Sequence, residues 1–386
     1  MNAVPRKALP AALVMIVAVS FWCFAAQAQT ASPEEAIRLQ QEGKFEESAE
    51  AWRAVTRQNP RDAGAFASLG IVLSRQEKYQ EAASAYRRAL ELSPHLPGIE
   101  INLGLAEFKQ GHFQAAVAPL RAALRQDPKN RQAQALLGLS YYGAKQFSKA
   151  IQYLSPAAEA DPSNAELHQM LAVSCLYARQ YSCASDEFQR ILQQNPNSAS
   201  AHVLMGEALD GLNRTPEAIT EFQAALKVAP HEPNIHFGLG YLYWKSQRYD
   251  EAKAEFEAEL SIDPKSAQSL TYLGDMEMKA NNMDAALPYL EKATKLDPSL
   301  RLAFMEMATV LMEKKRYSEA LSPLHHAIEL DPTRPDAHYR LGRSYQAMGN
   351  MEEAKKEFAK VKELHEKSYE DALAPKMPQP AEQSHP

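Results

Sequence analysis

The sequence predicts an all-α protein made of stacked helical hairpins, and three periodic patterns support this fold class. The interval of 34 residues between Pro60 and Pro94 recurs without a break up to Pro332. In the same register, one column holds only Ala or Gly and a later column holds large apolar residues. A repeat of this length indicates a unit that buries its apolar side against its neighbours. The two columns are Ala36, Gly70, Gly104, Gly138, Ala172, Gly206, Gly240, Gly274, Ala308 and Gly342, and Trp52, Tyr86, Leu120, Leu154, Phe188, Phe222, Phe256, Leu290, Leu324 and Phe358.

The stretch from Pro233 to Ser266 shows one unit most clearly. Its first half, from Asn234 to Ser246, and its second half, from Tyr249 on, both place apolar residues at helical spacing. Proline disfavours a helical conformation in the residue before it, so the second helix is expected to end at Asp263, before Pro264. Two such helices joined by a short turn predict an antiparallel hairpin.

Carried through the chain, this phase predicts ten units between a signal peptide at residues 1–28 and a flexible tail at residues 369–386. The glycines of the first column lie inside predicted helices, where glycine costs roughly 1 kcal/mol. Their recurrence indicates that the paired helices cross closely enough for a side chain to hold the backbones apart. The predicted units are residues 29–62, 63–96, 97–130, 131–164, 165–198, 199–232, 233–266, 267–300, 301–334 and 335–368.

The period, the columns and the closing proline resemble the tetratricopeptide repeat family, and the resemblance covers residues 29 to 368. The family's aromatic residue before the second helix is present in seven units. The resemblance implies a right-handed superhelical solenoid whose first helices line a concave groove, where ligands usually lie as extended segments. The aromatic residues are Phe45, Tyr79, Phe113, Phe147, Tyr181, Tyr249 and Tyr317, and the three departures are Thr215, Met283 and Met351.

The first 28 residues have the pattern of a secretory signal. Arg6 and Lys7 precede the apolar run 11–25, and small residues two apart predict cleavage after Ala28. The mature protein is therefore expected to be periplasmic or secreted. Two alternatives remain, an uncleaved leader that anchors the protein in a membrane and lipid attachment at Cys23, although Trp22 stands where a lipoprotein signal needs a small residue.

Composition and motifs argue against several functions. Charged residues make up 23% of the chain and hydrophobic ones 45%, with a net charge of −6, which is ordinary for a folded protein. No helix face carries a basic stripe with interleaved aromatics, so nucleic acid is not expected as a partner. No nucleophile turn, glycine-rich phosphate loop or zinc-protease motif occurs. The sequence therefore predicts a protein that is not an enzyme and has no cofactor or metal.

Two cysteines outside the leader, Cys175 and Cys183, flank one predicted hairpin turn. An antiparallel hairpin brings them close, and an oxidising compartment would allow a disulfide between them. The alternative is two small buried apolar residues. A metal site is not expected, because two cysteines alone fall short of tetrahedral zinc.

A column of histidines replaces the family's bulky aromatic early in the first helix, at His168, His202, His236 and His338. The repeat places each of them in the same packing position of a different hairpin. Adjacent members would lie too far apart to share a metal ion. We therefore predict that these histidines serve packing.

The groove implied by the resemblance is expected to bind protein. Its positions are apolar in the third to fifth units and aromatic with acidic neighbours in the sixth to eighth, although some of them could instead contact the next repeat. The family's lysine and asparagine clamp for a terminal carboxylate is missing, since Phe237 holds one of the lysine positions. The predicted groove residues are Ile101, Leu105, Phe108, Leu139, Tyr142, Val173, Leu176, Tyr177, Glu207, Asp210, Phe237, Tyr241, Trp244 and Asp275.

The predicted function is a non-enzymatic scaffold, exported to the cell envelope, that binds an extended apolar or basic segment of an envelope protein. Two other classes remain open. One is a self-assembling array, which would be a homo-oligomer. The other is an accessory subunit of an envelope transferase or secretion complex. Contact with a membrane is expected only through the leader, if that segment is not cleaved.

Overall fold

The computed structural model describes residues 32–373, which form twenty α-helices and no strand. The predicted all-α architecture of consecutive helix pairs is therefore confirmed. The predicted signal peptide, including Cys23, lies outside the described residues. The helices are α1 Pro33–Gln41, α2 Phe45–Gln58, α3 Ala63–Arg75, α4 Tyr79–Leu92, α5 Ile99–Lys109, α6 Phe113–Gln126, α7 Arg131–Gly143, α8 Phe147–Ala160, α9 Ala165–Tyr177, α10 Tyr181–Gln194, α11 Ala199–Gly211, α12 Thr215–Val228, α13 Ile235–Lys245, α14 Tyr249–Ile262, α15 Ala267–Lys279, α16 Met283–Leu296, α17 Arg301–Glu313, α18 Tyr317–Leu330, α19 Pro335–Ala347 and α20 Met351–Leu373.

The final helix, α20, continues to Leu373. The first residues of the predicted tail, from 369 on, are thus helical. Residues 374–386 lie outside the described part of the chain. Between residues 32 and 373, no helix combines the length and the apolar character needed to cross a membrane.

The helices group into two compact units, one through Ser140 and one from Tyr141 on. In the first unit α3 packs on α4 and α5 on α6, and α4 also contacts α5. In the second unit the pairs α9–α10 through α19–α20 follow the same order. The first helices of adjacent hairpins also contact each other; α13, for example, contacts α15. In each unit the first helices therefore form one layer and the second helices another.

The turn inside each hairpin contains one residue with a left-handed backbone. Its position recurs with the repeat, from Gly43 to Gly349. Only three of these ten residues are glycine, although a left-handed conformation is unfavourable for residues with a Cβ. Asn213 and Asn281 tolerate it better than most side chains do. The repeated backbone shape is therefore maintained even at Lys145, Arg179 and Lys315.

The small-residue column makes room for the large apolar column of the same hairpin. A Cβ added at Gly240 would lie 2.9 Å from the ring of Phe256, and one at Gly274 would lie 2.7 Å from Leu290. Phe256 and Leu290 are fully buried. The predicted close approach is present, but what a side chain there would displace is chiefly the opposing side chain and not the paired backbone.

Candidate functional site

A cavity of about 590 Å³ lies between the first helices α11 and α13. This volume falls within the roughly 300–1,000 Å³ range of known ligand sites. The loop that leads into α13 forms one edge, and Gln268 of α15 lies at another. Its apolar lining includes Val203, Leu204, Phe222, Phe237, Tyr241 and Leu242, and its acidic lining consists of Glu207, Asp210 and Glu232.

The edge of the cavity exists because α13 begins late. Most first helices have 13 residues, but α13 has 11 and starts only at Ile235. Pro233 precedes it, and Asn234 adopts a left-handed backbone with φ 73° at its N-cap. Pro233 and Asn234 both line the cavity. The Pro-Asn pair therefore replaces the first two helical residues, about half a turn, with a loop that leaves space beside α11.

The floor of the cavity depends on Gly238. A Cβ at this position would lie 2.8 Å from Cζ of Phe222, closer than packed atoms allow, and nearer still to another atom of the same ring. Without that Cβ, the ring of Phe222 packs against the backbone of α13 from below. The same position in the neighbouring repeats holds the large side chains Leu204 and Tyr272. Gly238 therefore lets one second-helix aromatic ring contribute to the cavity.

The charges that line the cavity are negative. None of the described lining residues is Lys, Arg or His. Asp210 is paired with Lys245, whose Nζ lies 2.7 Å from its Oδ1. Burial raises the pKa of the Glu207 carboxyl, although its side chain keeps contact with solvent. The site therefore has an acidic wall that the described residues neutralise only at Asp210.

Four of the predicted groove residues, Glu207, Asp210, Phe237 and Tyr241, line this cavity together. Trp244 and Asp275 contact each other instead, with the indole Nε1 of Trp244 donating to Oδ2 of Asp275 at 2.6 Å. This contact joins α13 to α15. Trp244 and Asp275 thus stabilise the packing of adjacent repeats beside the cavity.

The predicted groove residues outside the cavity differ in exposure. Tyr177 is 63% exposed and stacks on Phe147 at a ring distance of 4.9 Å, and Tyr142 packs edge-on against Phe147. Val173 is half-buried. Leu176 is only 8% exposed, so it offers almost no surface to a partner, because its side chain is packed within the hairpin layers.

In the first unit, the predicted groove residues are all half-buried. Ile101, Leu105 and Phe108 lie on α5, and Leu139 lies on α7. Phe108 packs edge-on against Phe113 at a ring distance of 5.5 Å. These residues present partial apolar surface on first helices without enclosing a cavity like that between α11 and α13.

A disulfide joins Cys175 to Cys183 in the structure, with 5.8 Å between their Cα atoms. Cys175 lies in the last turn of α9 and is fully buried. The bond therefore ties α9 to α10 across their turn. Of the two alternatives that the sequence leaves open, the structure contains the bonded form.

The histidine column has acidic partners that sequence reasoning missed. In each case Nδ1 donates to a glutamate of the second helix of the same hairpin, at 2.5 to 2.6 Å. The second ring nitrogens of His202 and His236 face the carbonyl oxygens of Pro196 and Pro230. Each histidine thus joins both helices of its hairpin. The four pairs are His168–Glu187, His202–Glu221, His236–Glu255 and His338–Glu357.

The sequence contained a signal for these pairs. Glutamate occupies the partner column only in the four repeats that carry the histidine. Where the first position holds Leu270, the second holds Tyr289, and where it holds Phe304, the second holds Pro323. Comparing the histidine position of the first helix with the glutamate position of the second helix would have predicted a contact between the two residues.

A second polar cluster lies on α15, α17 and α19. Burial raises the pKa of Tyr272 to about 12, with Tyr241 and Asp275 adding to the effect. Burial also raises the pKa of the Glu306 carboxyl, which Arg340 partly offsets. Within residues 32–369, no group of three or more His, Cys, Asp or Glu side chains is placed to hold a metal ion.

The paired helices and the cavity between adjacent first helices define a helical-repeat protein with a ligand-sized site. Models of the tetratricopeptide repeat match residues 34–97, 101–165, 203–267 and 237–301, and a second such model matches residues 141–208 and 311–374. The chain belongs to the tetratricopeptide repeat family. Repeats of this family generally serve as non-enzymatic scaffolds for protein interaction.

Several solved structures are similar to the chain. YrrB, described as a TPR protein with an unusual peptide-binding site, is 26% identical over 47% of this chain and 93% of its own, with a TM-score of 0.39. Yeast Tom70 is 15% identical over 86% of this chain and 91% of its own, with a TM-score of 0.42. MamA from Desulfovibrio magneticus RS-1 is 24% identical over 42% of this chain and 90% of its own, with a TM-score of 0.38. Because these TM-scores are low, the family assignment rests on the repeat matches. No curated protein matches the chain significantly.

Proposed function

We propose that this protein is a non-enzymatic scaffold that binds an extended segment of another protein along its first helices. The observation that carries this proposal is the cavity between α11 and α13, which is open to solvent and lined by Val203, Phe237 and Tyr241. An apolar recess with a few polar groups at its edge is what a protein-binding surface needs. Membership of a family of interaction scaffolds supports the same reading.

We further propose that the protein works outside the cytoplasm, in the periplasm or after secretion, with a protein of the envelope as its partner. The pattern of residues 1–28 supports export. The bond between Cys175 and Cys183 also supports it, because disulfides persist mainly in oxidising compartments. An uncleaved leader would instead hold the same repeats at a membrane surface.

Site-specific photocrosslinking in the native cells tests the binding proposal. Gln268 has an exposed side chain at the edge of the cavity, so Gln268→benzoylphenylalanine places a reactive group beside any bound segment. Lys292, exposed on α16 and outside the cavity lining, provides the matched control in the same repeat. We expect one discrete crosslinked protein from position 268, with crosslinks confined to one segment of it. Identical crosslinks from positions 268 and 292 would overturn the proposal.

Cell fractionation with intact-mass measurement tests the proposed location. We expect the protein in the periplasm or the medium, beginning at Gln29 and with Cys175 and Cys183 resistant to alkylation until reduced. A cytosolic protein that retains Met1 would contradict export.

A second candidate, self-assembly into an array, is favoured by one observation at the last hairpin. Tyr339, Met348, Met351 and Tyr369 are each more than a third exposed, and no described helix follows α20 to cover them. Exposed apolar groups of this kind can support association. Light scattering over a concentration series distinguishes this candidate, because only an assembling protein gains mass as concentration rises.

A further inference from the structure

The residues that line the α11–α13 cavity carry more negative than positive charge. Three carboxylates line it, and no described cation does. Lys245 neutralises Asp210, but Glu207 and Glu232 make no ion pair or side-chain hydrogen bond with any residue that the structure describes. The cavity therefore has unpaired negative charge at the edge of an apolar recess.

Glu207 is the carboxylate placed to bind a cation. It lies on α11, one turn beyond Val203, and its exposed side chain lines the cavity beside the apolar wall, where partial burial raises the pKa of its carboxyl. A positive charge brought close to a carboxylate favours its ionised form, and the apolar wall beside Glu207 strengthens that attraction relative to open solvent. An incoming cation would thus restore a favourable environment for this group.

The remaining walls suit a cation on a long aliphatic stem. Val203 and Leu204 provide aliphatic surface, and Phe237 and Tyr241 provide aromatic rings. Arginine buries its methylene stem on apolar surface while its head stays charged. Its planar guanidinium can bind a carboxylate through two parallel hydrogen bonds and also stack on an aromatic ring. The compact ammonium of lysine cannot do both.

We propose that the cavity binds an arginine side chain of the partner's extended segment, with the guanidinium against Glu207 and the stem along Tyr241 and Val203. This inference rests on the proposed function and specifies the chemistry of the bound segment. The volume exceeds that of one side chain, so apolar residues flanking the arginine occupy the rest of the recess. Glu232, at the outer edge, adds long-range attraction for the positive charge.

Two synthetic peptides test the inference directly. Acetyl-Leu-Arg-Leu amide carries the guanidinium, and acetyl-Leu-citrulline-Leu amide is its neutral isostere. NMR titration of the full chain gives both dissociation constants and locates binding through the methyl signals of Val203 and Leu204. Because the guanidinium can form charge-assisted hydrogen bonds with Glu207 that neutral citrulline cannot, we expect the arginine peptide to bind about tenfold more tightly.

The variant Glu207→Gln should remove this preference, leaving the two peptides within about twofold of each other because no charged hydrogen bond remains. Glu257→Gln, which changes an exposed glutamate of α14 outside the cavity lining, should leave the preference unchanged. Circular dichroism checks that both variants fold.

Three results would overturn the inference: equal affinity for the two peptides, an unchanged preference in Glu207→Gln, or no measurable binding of the arginine peptide at millimolar concentration. A partner segment that crosslinks to position 268 but contains no arginine would also overturn it, and would leave the proposed scaffold function standing. Loss of the position-specific crosslink itself would overturn the scaffold function.

Discussion

The Glu259 carboxylate accepts the backbone N–H of Asn234 with both of its oxygens, at 2.8 and 3.0 Å. One of these oxygens also accepts the N–H of Phe237 at 3.2 Å. Glu259 is only 1% exposed and belongs to α14, the second helix of the same hairpin. Its charge lies at the N-terminus of α13, where the helix dipole favours an anion. A buried acid thus holds the late start of α13 that opens the cavity.

We predict that Glu259→Ala lowers the free energy of unfolding by about 1 to 3 kcal/mol, because it removes the acceptor of three part-buried hydrogen bonds from the N–H groups of Asn234 and Phe237. Urea denaturation measures the loss. The NMR amide signals of Asn234 and Phe237 should also shift strongly.

Glu257→Ala is the matched control, since Glu257 is exposed on the same helix and makes no contact with α13 that the structure records. Its effect should stay within about 0.5 kcal/mol. Equal losses in the two variants would show that the α13 cap contributes nothing.

We predict that Gly240→Val destabilises the protein by about 1 to 3 kcal/mol, because added methyl groups would overpack the site against Phe256. Ala254→Val, on the exposed face of α14, introduces the same side chain where space is open. The comparison of urea midpoints checks the prediction, which an unchanged midpoint for Gly240→Val would refute.

The contact between His236 and Glu255 should behave as a coupled pair. Either His236→Leu or Glu255→Tyr alone leaves a half-buried polar group without its partner, at a cost of about 1 to 3 kcal/mol. The double variant copies the pairing of Leu270 with Tyr289 and should recover at least about 0.5 kcal/mol of the summed loss. A double-mutant cycle in urea measures the coupling, and strictly additive losses would argue against it.

The Glu306 carboxyl should make stability depend on pH. Burial raises its pKa above the usual 4.5, against the opposing effect of Arg340. The folded protein therefore binds more protons than the unfolded chain, so ionisation of Glu306 opposes folding as pH rises above that value. We predict that Glu306→Gln raises the melting temperature near neutral pH.

The same comparison well below the unfolded pKa of Glu306 provides the control. There the carboxyl is protonated in both states, so wild type and Glu306→Gln should melt alike. A variant that is less stable than wild type at neutral pH would show that the attraction to Arg340 outweighs burial.

The helices could be predicted because each repeat carries its own boundaries. The proline after Asp263 and the small residue at Gly240 recur in register, and a register repeated ten times leaves little freedom in where helices begin and end. The short turn between the two helices of each unit then predicted their antiparallel pairing, and the resemblance to the family supplied the expected solenoid and its groove.

The cavity could not be predicted from the repeat, because it arises where one repeat combines several departures from the common pattern. The late helix start alone also occurs at α5, after Pro97 and Gly98. Two departures were visible as residues, namely Pro233 with Asn234 before α13 and Glu259 in a column that holds Ala293 and Ala327 elsewhere. Their meaning depends on a contact between residues 25 positions apart, which the periodic pattern does not encode.

Trp244 shows a second limit of periodic reasoning. A side chain at this position of the repeat can lie in the groove or against the next repeat. The repeat pattern alone therefore does not tell whether the Trp244 side chain is exposed to a partner or packed on α15. The hydrogen bond to Asp275 shows that the side chain packs on the next repeat, because it directs the indole toward α15.

Each histidine of the column finds its glutamate 19 residues further along, inside its own hairpin. A gene that gained or lost one whole unit would therefore deliver donor and acceptor together. The number of repeats could therefore change without leaving a half-buried histidine or glutamate unpaired. Recombination within a hairpin would instead separate the two residues.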